Sequence, residues 1–376
     1  MSFRKTLSYM WTNVQLTLFP QLENDLGELS PKHKKLVTVL ELVRIEEFIA
    51  CTRFNNGRPV KDRNYMARAY IAKIIFQFTY TKQLVEYLKR DEQLRVICGW
   101  EYSKRIPSEA TFSRAFSEFS QTSLPEQVHQ SLIKSVYKKE VIGHVTKDSA
   151  PIEVREKSLK KASVKDRNKE KEAKKRRQRA GELNRRQKQL IETDLKKMIQ
   201  DLPKNCDKGM KKSAQGYTTI WKGYKLHAAV DDHCIPLAAI ITSASVNDCE
   251  VAIPLAEKSN CVATNLYDLM DAAYDHPEIK EHSSSLGHVP IIDKCPKSKV
   301  EKIVKEGEKE RKKLLNFKTA KDKRYEERFP KERFNALYKD FHGGRTILYR
   351  GHEKVSCHVM FGVLVLAASS IINLYT

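Results

Sequence analysis

Along the first third of the chain, apolar residues recur with the period of a helix. Met66, Tyr70, Ile71, Ile74, Ile75 and Phe78 form one stripe. Leu84, Val85 and Leu88 form a second, behind Thr81 as the expected cap. Phe112, Phe116 and Phe119 form a third, opened by Pro107 with Ser108 as its N-cap. Shorter apolar runs before them, such as residues 36–49, predict further helices. At Val141 the period changes. Ile142, His144, Thr146 and Asp148 alternate with Gly143, Val145 and Lys147, which predicts a strand with Asp148 near its exit. Residues 223–230 and 235–241, separated by Asp231, Asp232 and His233, predict a hairpin whose second strand is apolar on both faces and hence buried. A helix around 251–255, a strand over 266–270 and a further strand over 289–292 follow, and 294–322 reads as a charged connector.

The stretch 323–344 predicts one more helix. Pro330 suits its first turn, and Gly343 and Gly344 suit a left-handed stop. Phe334, Leu337, Tyr338 and Phe341 make one apolar stripe, while Glu332 and Lys339 share a line on the opposite side. Tyr325, Arg328, Glu332 and Lys339 fall at a helical spacing, and a carboxylate on the first turn meets the positive end of the helix dipole. Such a charged face on a surface helix is by itself more often scaffold than site. The apolar run 359–374 includes Ser369, Ser370 and Asn373 and falls short of the roughly 20 residues a membrane span requires, so a buried C-terminal helix is expected.

Composition adds a partner. With 376 residues, 40% of them hydrophobic, the chain has room for two globular domains. A net charge of +22 and a pI near 9.5 call for a polyanion, and without a basic amphipathic anchor at either end nucleic acid is the better candidate than a membrane surface. Residues 155–190 hold 16 Lys and Arg against 5 Asp and Glu, a net +11 and half of the whole excess. Leu183, Leu190, Leu195, Met198, Ile199 and Leu202 predict that this segment becomes an amphipathic helix in its second half. The rest is expected to be partly disordered without DNA and to contact phosphates, Lys174, Lys175, Arg176 and Arg177 among the contacts. Eight cysteines are scattered without a Cys-x-x-Cys pair, which argues against zinc and against a disulfide framework and fits a reducing cytoplasm. No secretory signal is recognisable at the N-terminus.

Tyr325-x2-Arg328-x3-Glu332-x6-Lys339 matches, residue for residue, the Y–R–E–K motif of bacterial insertion-sequence DDE transposases, and the chain resembles that family. Asp148-Ser149 through Glu156-Lys157 resembles its first catalytic aspartate segment, with Ala150 where Thr or Ser often stands. Trp221 to His227 resembles its second strand, and Asp271-Ala-Ala-Tyr-Asp275 its second catalytic segment, in which Asp271 matches the catalytic position; Asp268 and Asp275 are the local alternatives, Asp275 looking more like a helix cap. The stretches 57–63, 94–100 and 106–114 look like the helical domain that precedes the catalytic one. The resemblance implies a helical DNA-binding domain over 1–135, with Arg114 among residues that face DNA if a helix-turn-helix forms. It further implies an RNase H-like catalytic domain over 136–376, a mixed five-stranded sheet flanked by helices, with 153–222 as a basic, partly helical insertion. Asp148, Asp271 and Glu332 would be the catalytic carboxylates and ligands of two Mg2+ or Mn2+ ions, Asp148 bridging both; all-oxygen ligands favour these ions over zinc. Tyr325, Arg328 and Lys339 would bind DNA beside the scissile bond. The partners implied are double-stranded DNA, as transposon ends and target, and a second copy in a homodimeric synaptic complex, acting at the nucleoid in the cytoplasm. A metal-dependent nuclease that does not join strands, and an inactive DNA-binding relic, are the alternatives.

Overall fold

The computed structural model describes residues 3–49, 63–137, 140–158, 172, 176, 181–212, 216–296 and 298–375. They fall into two compact units: Met1–Lys138 with Ile152–Glu156 and Phe334–Thr376, and Lys139–Pro151 with Lys157–Arg333.

The first unit is helical. Its N-terminal part runs through α1 (Phe3–Asn13), a π turn (Val14–Leu18), α2 (Phe19–Leu26), α3 (Pro31–Val43), α4 (Arg63–Ile75), α5 (Thr81–Arg90), α6 (Glu92–Cys98), α7 (Glu109–Gln121) and α8 (Leu124–Tyr137). On α4 the predicted stripe is buried, and so are Ala67, Ala69 and Ala72 between its members, so this helix is covered nearly all round. Phe78 lies beyond its end, half-buried. Thr81 is the first residue of α5 and not its cap; the Tyr80 N–H before it donates to Gln83 Oε1 at 3.0 Å. Ser108 does stand at the N-cap of α7, but its hydroxyl bonds Thr111 Oγ1 at 3.1 Å in place of a backbone N–H.

The C-terminal apolar run extends into a 24-residue helix, His352–Tyr375, longer than the 16 residues its composition suggested. It is long and apolar enough to cross a membrane, yet 78% of its most apolar window is buried inside the fold, where it packs on α8, α7, α4 and α3. Phe116 stacks on Tyr349 at 4.2 Å between ring centres, and Lys73 Nζ donates to Tyr349 Oη at 3.0 Å. Buried apolar area, worth roughly 25 cal/mol per Å2, is what holds this helix in place.

The second unit is built on a sheet of six strands, not five: β1 (Val141–Glu153), β2 (Asp207–Lys212), β3 (Thr218–Asp231), β4 (Pro236–Ser243), β5 (Thr264–Met270) and β6 (Val289–Ile292). Its order is β2-β3-β1-β5-β6, with β4 also paired to β3. β1, β5 and β6 run parallel, whereas β2, β3 and β4 pair antiparallel, so the sheet is mixed. The extra strand is β2, at the end of the stretch read as an insertion; β3 too begins within that stretch and takes its place in the sheet. β3 and β4 are the predicted hairpin, and every residue of β4 is buried.

The predicted amphipathic helix is two short ones, α9 (Arg185–Ile191) and α10 (Leu195–Gln200), because the Asp194 side chain caps the second by accepting from the Lys196 N–H. Met198 and Leu202 are buried and Leu183 is exposed. Arg185 pairs with Asp201 and Glu250, which ties α9 down. α11 (Ala252–Asn260) lies against β3, β4 and β5, and α12 (Pro277–Ser285) against β6. The charged connector carries α13 (Lys299–Leu314), none of whose residues is buried, then α14 (Ala320–Glu326), which touches β6, and α15 (Phe329–Phe341).

Candidate active site

Two neighbouring strands bring the first two candidate carboxylates together. β1 and β5 pair in parallel from Val141 opposite Thr264 to Thr146 opposite Leu269. Continued by two residues, that register sets Asp148 level with Asp271, on strands about 4.8 Å apart. β1 continues to Glu153, so Asp148 stands within the strand, two residues past its last pair with β5, and not at its exit. Both aspartates are half-buried. Burial raises the pKa of Asp271 and the charge of Asp148 raises it further, while the Ala273 N–H, 2.9 Å from Asp271 Oδ1, and Arg328 act against them.

The pleat sends the preceding pair the other way. Lys147 and Asp268, both buried, form an ion pair at 2.7 Å, and Asp268 also accepts from Ser283 Oγ at 2.6 Å and Asn265 Nδ2 at 3.0 Å, with His288 Nδ1 at 3.3 Å. Burial alone would raise its pKa, but Lys147 and these partners hold it well below the ordinary carboxylate range. Asp268 is thus fully engaged inside the fold. Asp275 accepts from the Cys295 N–H at 3.0 Å and pairs with Lys280; the cap position of α12 belongs to His276. Asp271, by contrast, is in the field of Asp148.

Glu332 occupies the first turn of α15, as expected, and is exposed. Lys331 beside it is 1% exposed, its pKa pushed down to about 8 by burial against the opposing pull of Asp148 and Asp248. Phe334 and Tyr338 are fully buried, Leu337 half-buried, and Phe341 is 52% exposed, so the stripe stops one turn short. Lys339 is half-buried on the same helix. The four motif residues do not share one helix: Tyr325 lies in the last turn of α14, and Arg328 in the turn before α15. There Arg328 Nη1 donates to Tyr325 Oη and its guanidinium stacks over that ring at 5.0 Å, while Arg324 stacks over Tyr267 at 4.4 Å. Among the described residues no three His, Cys, Asp or Glu side chains stand close enough to hold one metal ion. Asp148 and Asp271 meet without a closed three-carboxylate cage.

Arg114 is exposed on α7, its Nη2 donating to Thr111 Oγ1 at 3.4 Å, with Ser108, Glu109 and Ser113 exposed beside it. Arg176 is exposed; Lys174, Lys175 and Arg177, with most of the basic run, lie outside the described residues. The seven described cysteines are free.

Sequence reasoning missed Asp248, Lys331 and Tyr274. Asp248 opens a 3-10 turn, Asp248–Glu250, that touches the turn Ala272–Tyr274 capped by Asp271. Tyr274 is buried, and burial together with Asp248, Asp148 and Asp271 pushes its pKa well above the usual range. The polar run 245–250 was the only signal for Asp248, and nothing in it marks one acid as nearer the sheet.

No curated protein and no solved structure matches the chain. Two family models do. The one described as Transposase domain (DUF772) matches residues 24–118, and the one described as Transposase DDE domain matches residues 148–367, beginning at Asp148 and covering more than half of the chain. With a helical N-terminal region followed by a mixed, helix-flanked sheet, the chain belongs to the DDE transposases of insertion sequences.

Proposed function

We propose that this transposase binds the terminal repeats of its element and cuts and rejoins DNA by in-line phosphoryl transfer at Asp148, Asp271 and Glu332. The observation that supports the reading is that Asp271 lies in the field of Asp148, both just past the last pair of β1 with β5. Burial and the charge of Asp148 raise the cost of ionising Asp271, an arrangement that suits a bound cation. The donors of the two aspartates are hard oxygens, with the buried Tyr274 hydroxyl in their field, which fits Mg2+ or Mn2+. Such ions, when bound by these aspartates and Glu332, neutralise charge on the reacting phosphate and make an oxygen nucleophile available near neutral pH.

In the first step water attacks the phosphorus at the element's end; one P–O bond forms, the bond to the 3′ oxygen breaks, and that oxygen takes a proton. In the second step the freed 3′-OH attacks a target phosphodiester, so one phosphodiester is made for each one broken. Arg328, already oriented by Tyr325, presents a forked cation beside Asp271, and Lys339 adds a point charge on the Glu332 helix. Arg114 with the helical region 1–135 holds the terminal repeat. Lys174, Lys175, Arg176 and Arg177, within the basic insertion of the catalytic region 136–376, grip phosphates without reading bases. Two copies bridge the paired ends.

The test uses the full chain on DNA carrying the element's ends. Asp148→Ala, Asp271→Ala and Glu332→Ala are each expected to abolish strand cleavage while end binding survives; full Mg2+-dependent cutting by any of them rejects that assignment. Supplying pre-cut ends measures joining directly, and cutting without joining would identify a nuclease instead.

A further inference from the structure

We propose that Asp248 is a positioning residue of this site, accepting hydrogen bonds from the water shell of the divalent ion that Asp148 and Asp271 take. The inference rests on the reading of those aspartates as metal ligands. Asp248 is placed by packing. Its 3-10 turn lies against the turn Ala272–Tyr274, and Cys249 and Tyr274 share one buried cluster with Met270, the residue before Asp271. Asp248 is 21% exposed, and its Oδ1 accepts from Lys225 Nζ at 3.0 Å. Among the described residues no group bonds its other oxygen.

Among the described residues, two buried polar atoms that act on it have no hydrogen-bond partner. Tyr274 is 1% exposed and its hydroxyl has no hydrogen-bond partner among the described residues, yet it lies in the field of Asp248, Asp148 and Asp271 together. His227 Nδ1 is likewise buried and unpartnered, 3.9 Å from Asp248 Oδ1, while its Nε2 is engaged by Thr242 Oγ1 at 2.9 Å. A buried hydroxyl left unbonded costs folding free energy, and such atoms persist where a ligand completes them. Mg2+ gives up its waters reluctantly and is commonly held by only one or two carboxylates. The hydrogens of those waters then need acceptors. A carboxylate beside Asp271, already fixed by Lys225, is such an acceptor, with the Tyr274 hydroxyl as the companion donor or acceptor. Groups acting at this remove change metal affinity by about 10–100-fold.

The test titrates Mn2+ alone into the full-length protein and follows free Mn2+ by electron paramagnetic resonance, with Asp271→Ala as the reference for a lost ligand. Asp248→Asn keeps the side chain's shape and is expected to weaken Mn2+ binding about tenfold while the metal-free melting temperature holds. Tyr274→Phe, which preserves packing, is expected to weaken binding in the same direction and guards against an Asp248 variant that fails to fold. Unchanged affinity in both variants, with Asp271→Ala still impaired, overturns the proposal and leaves the aspartate pair standing. A loss in Asp248→Asn as complete as in Asp271→Ala overturns it in favour of direct ligation. A wild-type protein that binds no Mn2+ removes the underlying reading as well.

Discussion

Asp268 and Asp271 stand three residues apart and meet opposite fates, because side chains of a strand alternate between faces. Lys147 and Asp268 close on each other at 2.7 Å inside the fold, while Asp148 and Asp271 remain half-buried. A buried ion pair is weak evidence of stabilisation as a whole, but losing one partner strands a charge and costs about 3–5 kcal/mol. Lys147→Met is therefore expected to lower stability by about that amount near neutral pH, and the deficit has a definite pH dependence. In the wild type the folded pKa of Asp268 is depressed, so its contribution is present above the unfolded value of about 4 and is lost as pH falls through the folded one. In the variant, burial without the cation raises that pKa, so the folded state weakens as pH rises. Urea unfolding at about pH 5 and pH 8 should show the larger gap at the higher pH, and a gap independent of pH would mean that Lys147 acts through packing alone. Sequence period implied that 268 and 271 point apart, but not which of them faces the core, since 266–270 reads as apolar on both sides; only the family resemblance favoured Asp271.

At the scale of elements, legibility followed side-chain patterning. The strands over 141–148, 223–241, 266–270 and 289–292 and the helices with Phe or Ile stripes were readable because their burial selects apolar residues, as a stripe in α7 and as a continuous run in β4. β2 was not. Its sequence, Asp207–Lys212, has no apolar alternation, and an edge strand is defined by the backbone bonds its neighbour offers. α13 was passed over within a charged run, although Val300, Ile303 and Val304 stand at helical spacing; all three are exposed, and none of its residues is buried. The end of α15 was legible at a single residue. Gly343 adopts φ +80°, and an added Cβ there would stand 3.1 Å from His358 Nε2 and 3.3 Å from Ile74 Cδ1. Left-handed backbone costs a residue with a Cβ about 1–2 kcal/mol, so Gly343→Ala should lower stability by that much. A melting temperature equal to that of the wild type would show that the helix stop relaxes freely.

Across the whole molecule, the two signs of charge are unevenly distributed, which separates the proposed DNA contacts from the proposed cation site. Against a net +22, Asp148, Asp248 and Asp271 gather a local negative field around a single pair of turns, while residues 155–190 hold half of the positive excess. These two features are separable. Deleting 160–180 removes 11 Lys and Arg and 3 Asp and Glu, none of which belongs to the three carboxylates. Each phosphate neutralised contributes about −0.9 to the slope of log Kobs against log salt, so if roughly half of those cations touch DNA the slope should become shallower by about 4–5. Phosphate contacts carry no base information, so affinity should fall by a similar factor on terminal-repeat and unrelated duplexes. Mn2+ binding to the deletion protein should be preserved, because the aspartates and Tyr274 are held by β1, β5 and their following turns. Fluorescence anisotropy over about 50–200 mM NaCl reads the slope directly. An unchanged slope would show that the basic run does not touch phosphate, and a loss confined to the terminal repeats would mean that it reads sequence after all.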